Sequence, residues 1–479
     1  MTLSNTANPD AGALYVLHAI AMTLDLPPQA TQAVQWVGAG SLPSVFAVSD
    51  LAAGSVAAAG ASVAEWVALR TGAPAAVAVD RRLCSLWFGG TVRPVGWELP
   101  PVWDAIAGDY ATADGWIRLH TNAPHHRAAA LAALGFAQDM PPDKAAVSRA
   151  VAAWSAQALE AAVVGRNGCA AAMWSQAQWA SHPQAQHVQA EPLVVLTQHT
   201  AQDVATLAWA SHFNPARPLQ GIRVLDLTRV LAGPVATRFL AGFGADVLRI
   251  DPPDWDEPNI VPDVTLGKRC ARLDLRSTAG RDAFVQLLRQ ADVLVHGYRA
   301  DALERLGLGA QERQAIRPGL VDVSLNAYGA SGPWRNRRGF DSLVQMSTGI
   351  AHAGMQQGGK DRPTPLPVQA LDHATGYVMA AAVVKGLSQR WRQRSAGSQG
   401  WQAHTSLARV AHLLVNTPVS EGPAEPIALT EDDWSDNLEH TDFGPAHRLR
   451  SPVSVGGQSL QWARAASRLG SAPPEWLAL

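Results

Sequence analysis

The sequence predicts an α/β protein: an open, largely parallel, Rossmann-like sheet without the dinucleotide glycine motif, a smaller α/β domain, and an alanine-rich helical N-terminal segment. Three observations carry that prediction. Between Arg223 and Leu325, short apolar runs (RVLDL, ADVLRI, DVLVHG, LVDVSL) alternate with helix-like segments such as VATRFLAGFG, AGRDAFVQLLRQ and ADALERLGL. Alternation over that length indicates parallel strands joined by helices on both faces. The turn after the first run reads Thr228-Arg-Val-Leu-Ala-Gly-Pro234 and lacks G-x-G-x-x-G, which disfavours a nicotinamide or flavin enzyme. Finally, two alanine-rich stretches, one near each end, have a helical pattern with almost no charge, as helices buried on every side do.

Taken in order, the first hundred residues are mostly helical in pattern, dominated by VFAVSDLAAGSVAAAGASVAEWVALRTG. From about Pro100 the character changes. DYATADGWIRLHTNAPHHRAAALAALG reads as turn, strand, loop and helix, with the turn at Asp114-Gly115, the strand from Trp116 to His120 and the helix from Arg127. AAVSRAVAAWSAQALEAAVVG and AAAMWSQAQWASH read as helices, and SHFNPARPLQG as a linker into the strand–helix alternation. His120, His125 and His126 invite a metal reading. The adjacent pair cannot share a helix face, and no carboxylate or cysteine stands at a ligand-like offset, so loop or partner contacts are expected and no metal.

The alanine-rich stretch PLPVQALDHATGYVMAAAVVKGLSQRW has one acid, Asp372, at its front and no further charge until Lys385. Asp is a favoured N-cap because its carboxylate accepts N–H groups that a helix start leaves unpaired. The same placement suits a nucleophilic carboxylate, since a helix start favours negative charge. The residues alone leave both readings open. Asp50-Leu-Ala-Ala-Gly54-Ser-Val56 matches Asp372-His-Ala-Thr-Gly376-Tyr-Val378 at Asp, Ala, Gly and Val. Each helix is followed by a loop and a strand-like run, AVAVDRRLCSL and WQAHTSLARVAHLL, which suggests a degenerate internal duplication. Asp50 is read as a helix cap.

With 479 residues and a net charge of −2, the chain has no global field for nucleic acid or anionic lipid, so any attraction for a phosphorylated ligand must be local. Cys84, Cys169 and Cys270 are far apart, which argues against a disulfide framework or zinc site and for a reducing compartment. MTLSNTANPDAG has no basic n-region, and no apolar run approaches the ~20 residues that a membrane span needs. A soluble cytoplasmic protein is the expectation.

RVLDLTRVLAGPVATRFLAGFGADVLRID, KRCARLDLRSTAGRDAFVQLLRQADVLVHGYRADALERLGL, GFDSLVQMSTGIA and QALDHATGYVMAAA together resemble the family III CoA-transferases, the group of formyl-CoA and carnitine CoA-transferases. The resemblance runs from Pro218 to about Leu413, with the blocks in the family's order. It implies a catalytic nucleophile at Asp372, coenzyme A bound as an acyl-CoA substrate, a small carboxylic acid as acceptor, and no metal. An ionised carboxylate would need no general base. Carried over block by block, the CoA contacts fall on Val230, Leu231, Leu273, Arg276, Gly297, Tyr298, Arg305 and Arg338. The expected division is a partial, degenerate copy at 1–100, a small domain at 101–212, the large domain at 213–425 and a C-terminal segment at 426–479. The family's interlinked dimers imply either a homodimer or an internal pseudo-dimer.

Several positions depart from the family pattern. Leu231 stands where formyl- and oxalyl-using members carry glutamine, Gly297 replaces an asparagine, and Asp251 is followed by Pro252 and Pro253 instead of a basic residue. No copy of the glycine-rich loop that closes over the nucleophile is found. The related acyl-CoA racemases use a histidine where Phe340 stands, and a phenyl ring carries no proton to transfer. A non-catalytic CoA-binding or structural chain is the remaining alternative.

Overall fold

A computed structural model describes residues 11–137, 142–200, 213–299, 301–394, 399–419 and 425–477. Its centre is a seven-stranded sheet. The strands are β1 (Val195–Thr200), β2 (Arg223–Leu227), β3 (Asp246–Asp251), β4 (Lys268–Arg272), β5 (Val293–His296), β6 (Val321–Asn326) and β7 (Gln399–Ser406), in the spatial order β4-β3-β2-β5-β6-β7-β1. Strands β2 to β7 are parallel, and β1 runs antiparallel along β7. The expected Rossmann-like sheet is present. Its strands are near-continuous apolar runs because both faces are covered. Val224, Val247, Val293 and Val321 face one core, whereas Leu225, Leu248 and Leu294 face another with Phe284 and Leu287 of the helix Thr278–Leu288. The strand order reverses between β2 and β5. In open α/β sheets the carboxyl ends at such a reversal are where ligands bind.

Four helices matter for the site: α1 (Ala11–Thr23), α2 (Val48–Thr71), α3 (Ala232–Gly242) and α4 (Ala370–Arg392). Helix α4 lies on β6 and β7, with α3 and α2 packed against it, and it is buried from Ala370 through Ser388. That surround explains an apolar pattern with no polar face. Small residues set the spacing. A Cβ on Gly376 would lie 2.5 Å from the Ala232 carbonyl oxygen and 2.8 Å from Val235 Cβ. A Cβ on Gly54 of α2 would lie 2.6 Å from both the Ala13 carbonyl oxygen and Val16 Cβ of α1. Between α2 and α4, Glu65 receives Lys385 at 3.2 Å and Arg392 at 2.7 Å.

The expectation of no membrane-length segment needs correction. By length and composition α2 would reach across a bilayer, but it is packed inside the protein, where alanines let α1 and α4 approach closely.

Strands cross the expected boundaries. β1 comes from the segment assigned to the small domain, yet it adds an edge to the large sheet. The stretch after 426 pairs with the first hundred residues: Gly444–Leu449 pairs with Trp434–Thr441 and Val92–Pro94, and Val453–Val455 pairs with Val77–Asp80. Of the expected linker, Ser211 and His212 lie outside the described residues, while the Pro218 carbonyl takes the Trp66 indole N–H at 2.8 Å. Two expected helices differ as well. Ala170–Ala172 is a strand, drawn into pairing beside Trp116–Leu119, and the helix starts only at Gln176. Of ADALERLGL, whose first residue Ala300 lies outside the described residues, only a 3-10 turn forms at Glu304–Leu306, stopped by Gly307 at φ 71°.

Candidate active site

Asp372 does not cap its helix. Helix α4 begins at Ala370, so Asp372 sits in the first turn and makes no side-chain cap bond. The expected capping role belongs to another acid: Asp341 Oδ2 accepts the Asp372 N–H at 2.9 Å. Asp341 opens the helix Asp341–Ser347, and its other oxygen accepts from the Gln345 amide. Gln345 Oε1 in turn accepts the Leu366 N–H at 2.7 Å. The helix-start N–H of Asp372 is therefore engaged by Asp341, and the Asp372 carboxylate is left available. Both acids are buried, at 1% exposure for Asp341 and 8% for Asp372. Burial pushes the Asp341 carboxyl up to about 6. Burial, and then the Asp341 charge, pushes Asp372 well above the usual carboxylate range. The donors around Asp341 hold the charge there, so the shared proton rests on Asp372. The expectation of a simple, already ionised nucleophile is revised: desolvation overrides the reference value.

Two adjoining cavities meet at Asp372. The first, about 520 Å³, opens at the carboxyl ends of β2 and β5, and five arginines line it: Arg229, Arg276, Arg299, Arg337 and Arg338. It brings together seven of the residues named for CoA: Val230, Leu231, Leu273, Arg276, Gly297, Tyr298 and Arg338. Arg305 is not among them. It is paired with Asp301 at 2.6 Å with its side chain 70% exposed, because the chain there turns outward in the 3-10 segment. A Cβ at Gly297 would meet only the Leu325 side chain at 3.5 Å, so the missing asparagine leaves room and no backbone strain. The second cavity, about 280 Å³, lies between residues 101–126 and the 255–260 loop. Six residues border both: His126, Val230, Leu231, Trp255, Phe340 and Asp372.

Residues 219–435 match the sequence model of CoA-transferase family III. Over this segment the chain is similar to CoA-transferase family III. Within curated proteins, the chain is 33% identical over 196 residues to a Mycobacterium tuberculosis protein named "Probable fatty acyl-CoA transferase Rv3272", covering 37% of this chain and 48% of that one. It is also 33% identical over 190 residues to the mouse succinyl-CoA:glutarate CoA-transferase, covering 37% and 43%. The chain thus spans less than half the length of these relatives. A crystal structure of the same mycobacterial protein aligns with a TM-score of 0.37 at 32% identity, covering 41% of this chain and 56% of that one.

Within the family III segment, the structure adds residues that the motifs did not reveal. Val230 has φ 64°, an uncommon conformation for a β-branched residue, held where Glu257 accepts its N–H at 2.9 Å. Glu257 also takes the Trp255 indole N–H at 3.0 Å and the Arg249 guanidinium at 2.5 Å. Arg229 donates to the Tyr298 hydroxyl at 2.7 Å and lies over the Trp255 and Tyr298 rings. Nothing local in sequence marks these partners, since topology and not spacing brings them together. Outside the segment, His120 stacks on Phe340 at 3.9 Å between ring centroids, with His126 edge-on to the same ring. Burial lowers both imidazoles to about 3, so both are neutral. The histidines read as loop or partner contacts are therefore cavity walls; no group among the described residues has a metal-ligand arrangement. Asp50 occupies the first turn of α2 as Asp372 does in α4, again without capping. It is ion-paired to Arg81 at 2.7 Å and borders neither cavity.

Proposed function

We propose that the protein is a CoA-transferase moving CoA from an acyl-CoA to a carboxylic acid, with Asp372 as nucleophile. The observation that carries this reading is the position of Asp372, at the wall shared by an arginine-lined cavity and a second, smaller one. The arginines and the Tyr298 and Trp255 rings suit the phosphates and adenine of CoA. The acyl group would occupy the smaller cavity. An ionised Asp372 oxygen attacks the thioester carbonyl, the C–S bond breaks, and an aspartyl–acyl anhydride and CoA thiolate result. The thiolate attacks the aspartyl carbonyl, releasing the first acid and leaving an aspartyl-CoA thioester. An acceptor carboxylate then reverses the two steps, so the thioester energy is conserved. To test this, the protein is incubated with a panel of acyl-CoAs, quenched in acid and weighed. An adduct of CoA or acyl mass is expected, lost in Asp372→Ala and kept in Asp50→Asn. No adduct with any donor would overturn the reading.

One observation favours a second reading, deprotonation of an acyl-CoA at the α-carbon. His120, a neutral imidazole, lines the same cavity as Asp372 although Phe340 itself carries no proton. Exchange of the α-proton into deuterated solvent without any adduct would support it.

We propose also that α1 and α2 are a reduced second copy of α3 and α4, making the chain an internal pseudo-dimer. The matching aspartates in the first turn of α2 and α4, and the matching approach of Gly54 to α1 and Gly376 to α3, support this.

A further inference from the structure

Charge is divided between the two cavities. The arginines all stand in the larger one, whereas no Lys or Arg lines the smaller one among the described residues. Its acids are Asp104, Asp256, Glu257, Asp341 and Asp372. Asp104 is balanced by Arg127 at 3.2 Å. Glu257 shares Arg249 with Asp251, which leaves one negative charge on the three. Asp256 has no ion pair among the described residues, and Asp341 and Asp372 share one proton between them. Arg118, whose charge acts on both His120 and Asp341, is committed to Asp109 at 2.8 Å and to the face of Trp103. The remaining wall is apolar or neutral: Val102, Trp103, Leu231, Ile260 and Phe340, with His120 and His126 uncharged. His126 Nδ1 has no hydrogen-bond partner, which offers one uncharged polar contact.

From this we infer that the smaller cavity selects acyl groups with an uncharged, apolar tail and rejects those with a second carboxylate. The inference rests on the transferase reading, in which the acyl chain fills this cavity. The reacting carboxyl end meets Asp372 as an uncharged aspartyl-CoA thioester, so it meets no charge on the residue it attacks. A terminal carboxylate does not escape it: it would lie among acids with no cation to receive it. Repulsion by one like charge about 5 Å away, at an effective dielectric near 20, is on the order of a hundredfold in affinity. Residues 101–126, which supply much of this wall, lie outside the matched segment 219–435.

The test compares donors of equal length. Hexanoyl-CoA is expected to exceed adipoyl-CoA by about a hundredfold in kcat/KM. Asn259→Arg adds a cation at the cavity rim, where Asn259 only holds the Val102 carbonyl at 2.8 Å. It should narrow the gap about tenfold, chiefly by improving adipoyl-CoA. Binding of S-hexyl-CoA and S-(5-carboxypentyl)-CoA, measured by calorimetry, gives the same comparison without chemistry. Equal affinity for the two thioethers, or use of adipoyl-CoA within tenfold of hexanoyl-CoA, would overturn the inference. Tight, charge-selective binding without any adduct on Asp372 would instead sink the transferase reading and leave the cavity's selectivity standing.

Discussion

Asp341 accepts the backbone N–H of Asp372, burial raises both carboxyls, and the Asp341 charge raises Asp372 further, which sets the pH at which Asp372 becomes a nucleophile. Asp341 accepts from Gln345 and from the start of α4, whereas Asp372 has no such donors among the described residues and bears the repulsion. Activity that requires ionised Asp372 therefore falls as pH drops through a pKa raised above the carboxylate range. Asp341→Asn removes the repelling charge and keeps an oxygen for the Asp372 N–H. Its expected effect is to move the acid limb of the kcat/KM profile down by about one to two pH units. An unmoved limb would mean that burial alone sets the Asp372 pKa. Asp50 makes the contrast at the same scale: an acid in the same turn of a similar helix is tied to Arg81 and borders no cavity. What the sequence could not give was the identity of the cap. An acid before an apolar helix looks like an N-cap, and here a second acid 31 residues earlier in the chain does that work.

At the level of elements, close approach of helices is what fixes the site wall. Helix α3 begins just after Val230 and Leu231, and its distance from α4 is set at Gly376. Gly376→Ala drives a methyl into the Ala232 carbonyl and Val235, and Gly54→Ala does the same to Ala13 and Val16. Each is expected to cost about 1–3 kcal/mol, read from urea midpoints. Only Gly376→Ala displaces the Val230–Leu231 turn, so it should also lower kcat/KM in the folded protein, by about tenfold or more. Folded Gly54→Ala should keep its activity. Equal activity losses in both would mean that α1 and α2 position the site as directly as α3 does. Elements with one dominant cause were readable beforehand: β2, β3, β5 and β6 are apolar runs bounded by turns. Ala170–Ala172 was not, because alanine fits either state and its strand character comes from pairing with Trp116–Leu119.

At the scale of the whole molecule, the two ends of the chain complete each other. Helix α2 covers α4, while Val77–Asp80 and Val92–Pro94 supply edges for strands beyond residue 434. This joint construction was hidden in sequence because pairing partners more than 350 residues apart leave no local pattern. The cavities were hidden for the same reason, since loops near residues 104, 230, 257, 298 and 340 converge on Asp372 only through the sheet order. If α1 and α2 stand in for a partner's helices, the α4 face is already satisfied and the full chain should sediment as a monomer. Removing residues 1–100 would expose that apolar face together with unpaired edge strands. The shortened chain is therefore expected to self-associate, and sedimentation velocity over a concentration series reads this directly. A shortened chain that stays monomeric with unchanged thermal stability would sink the pseudo-dimer.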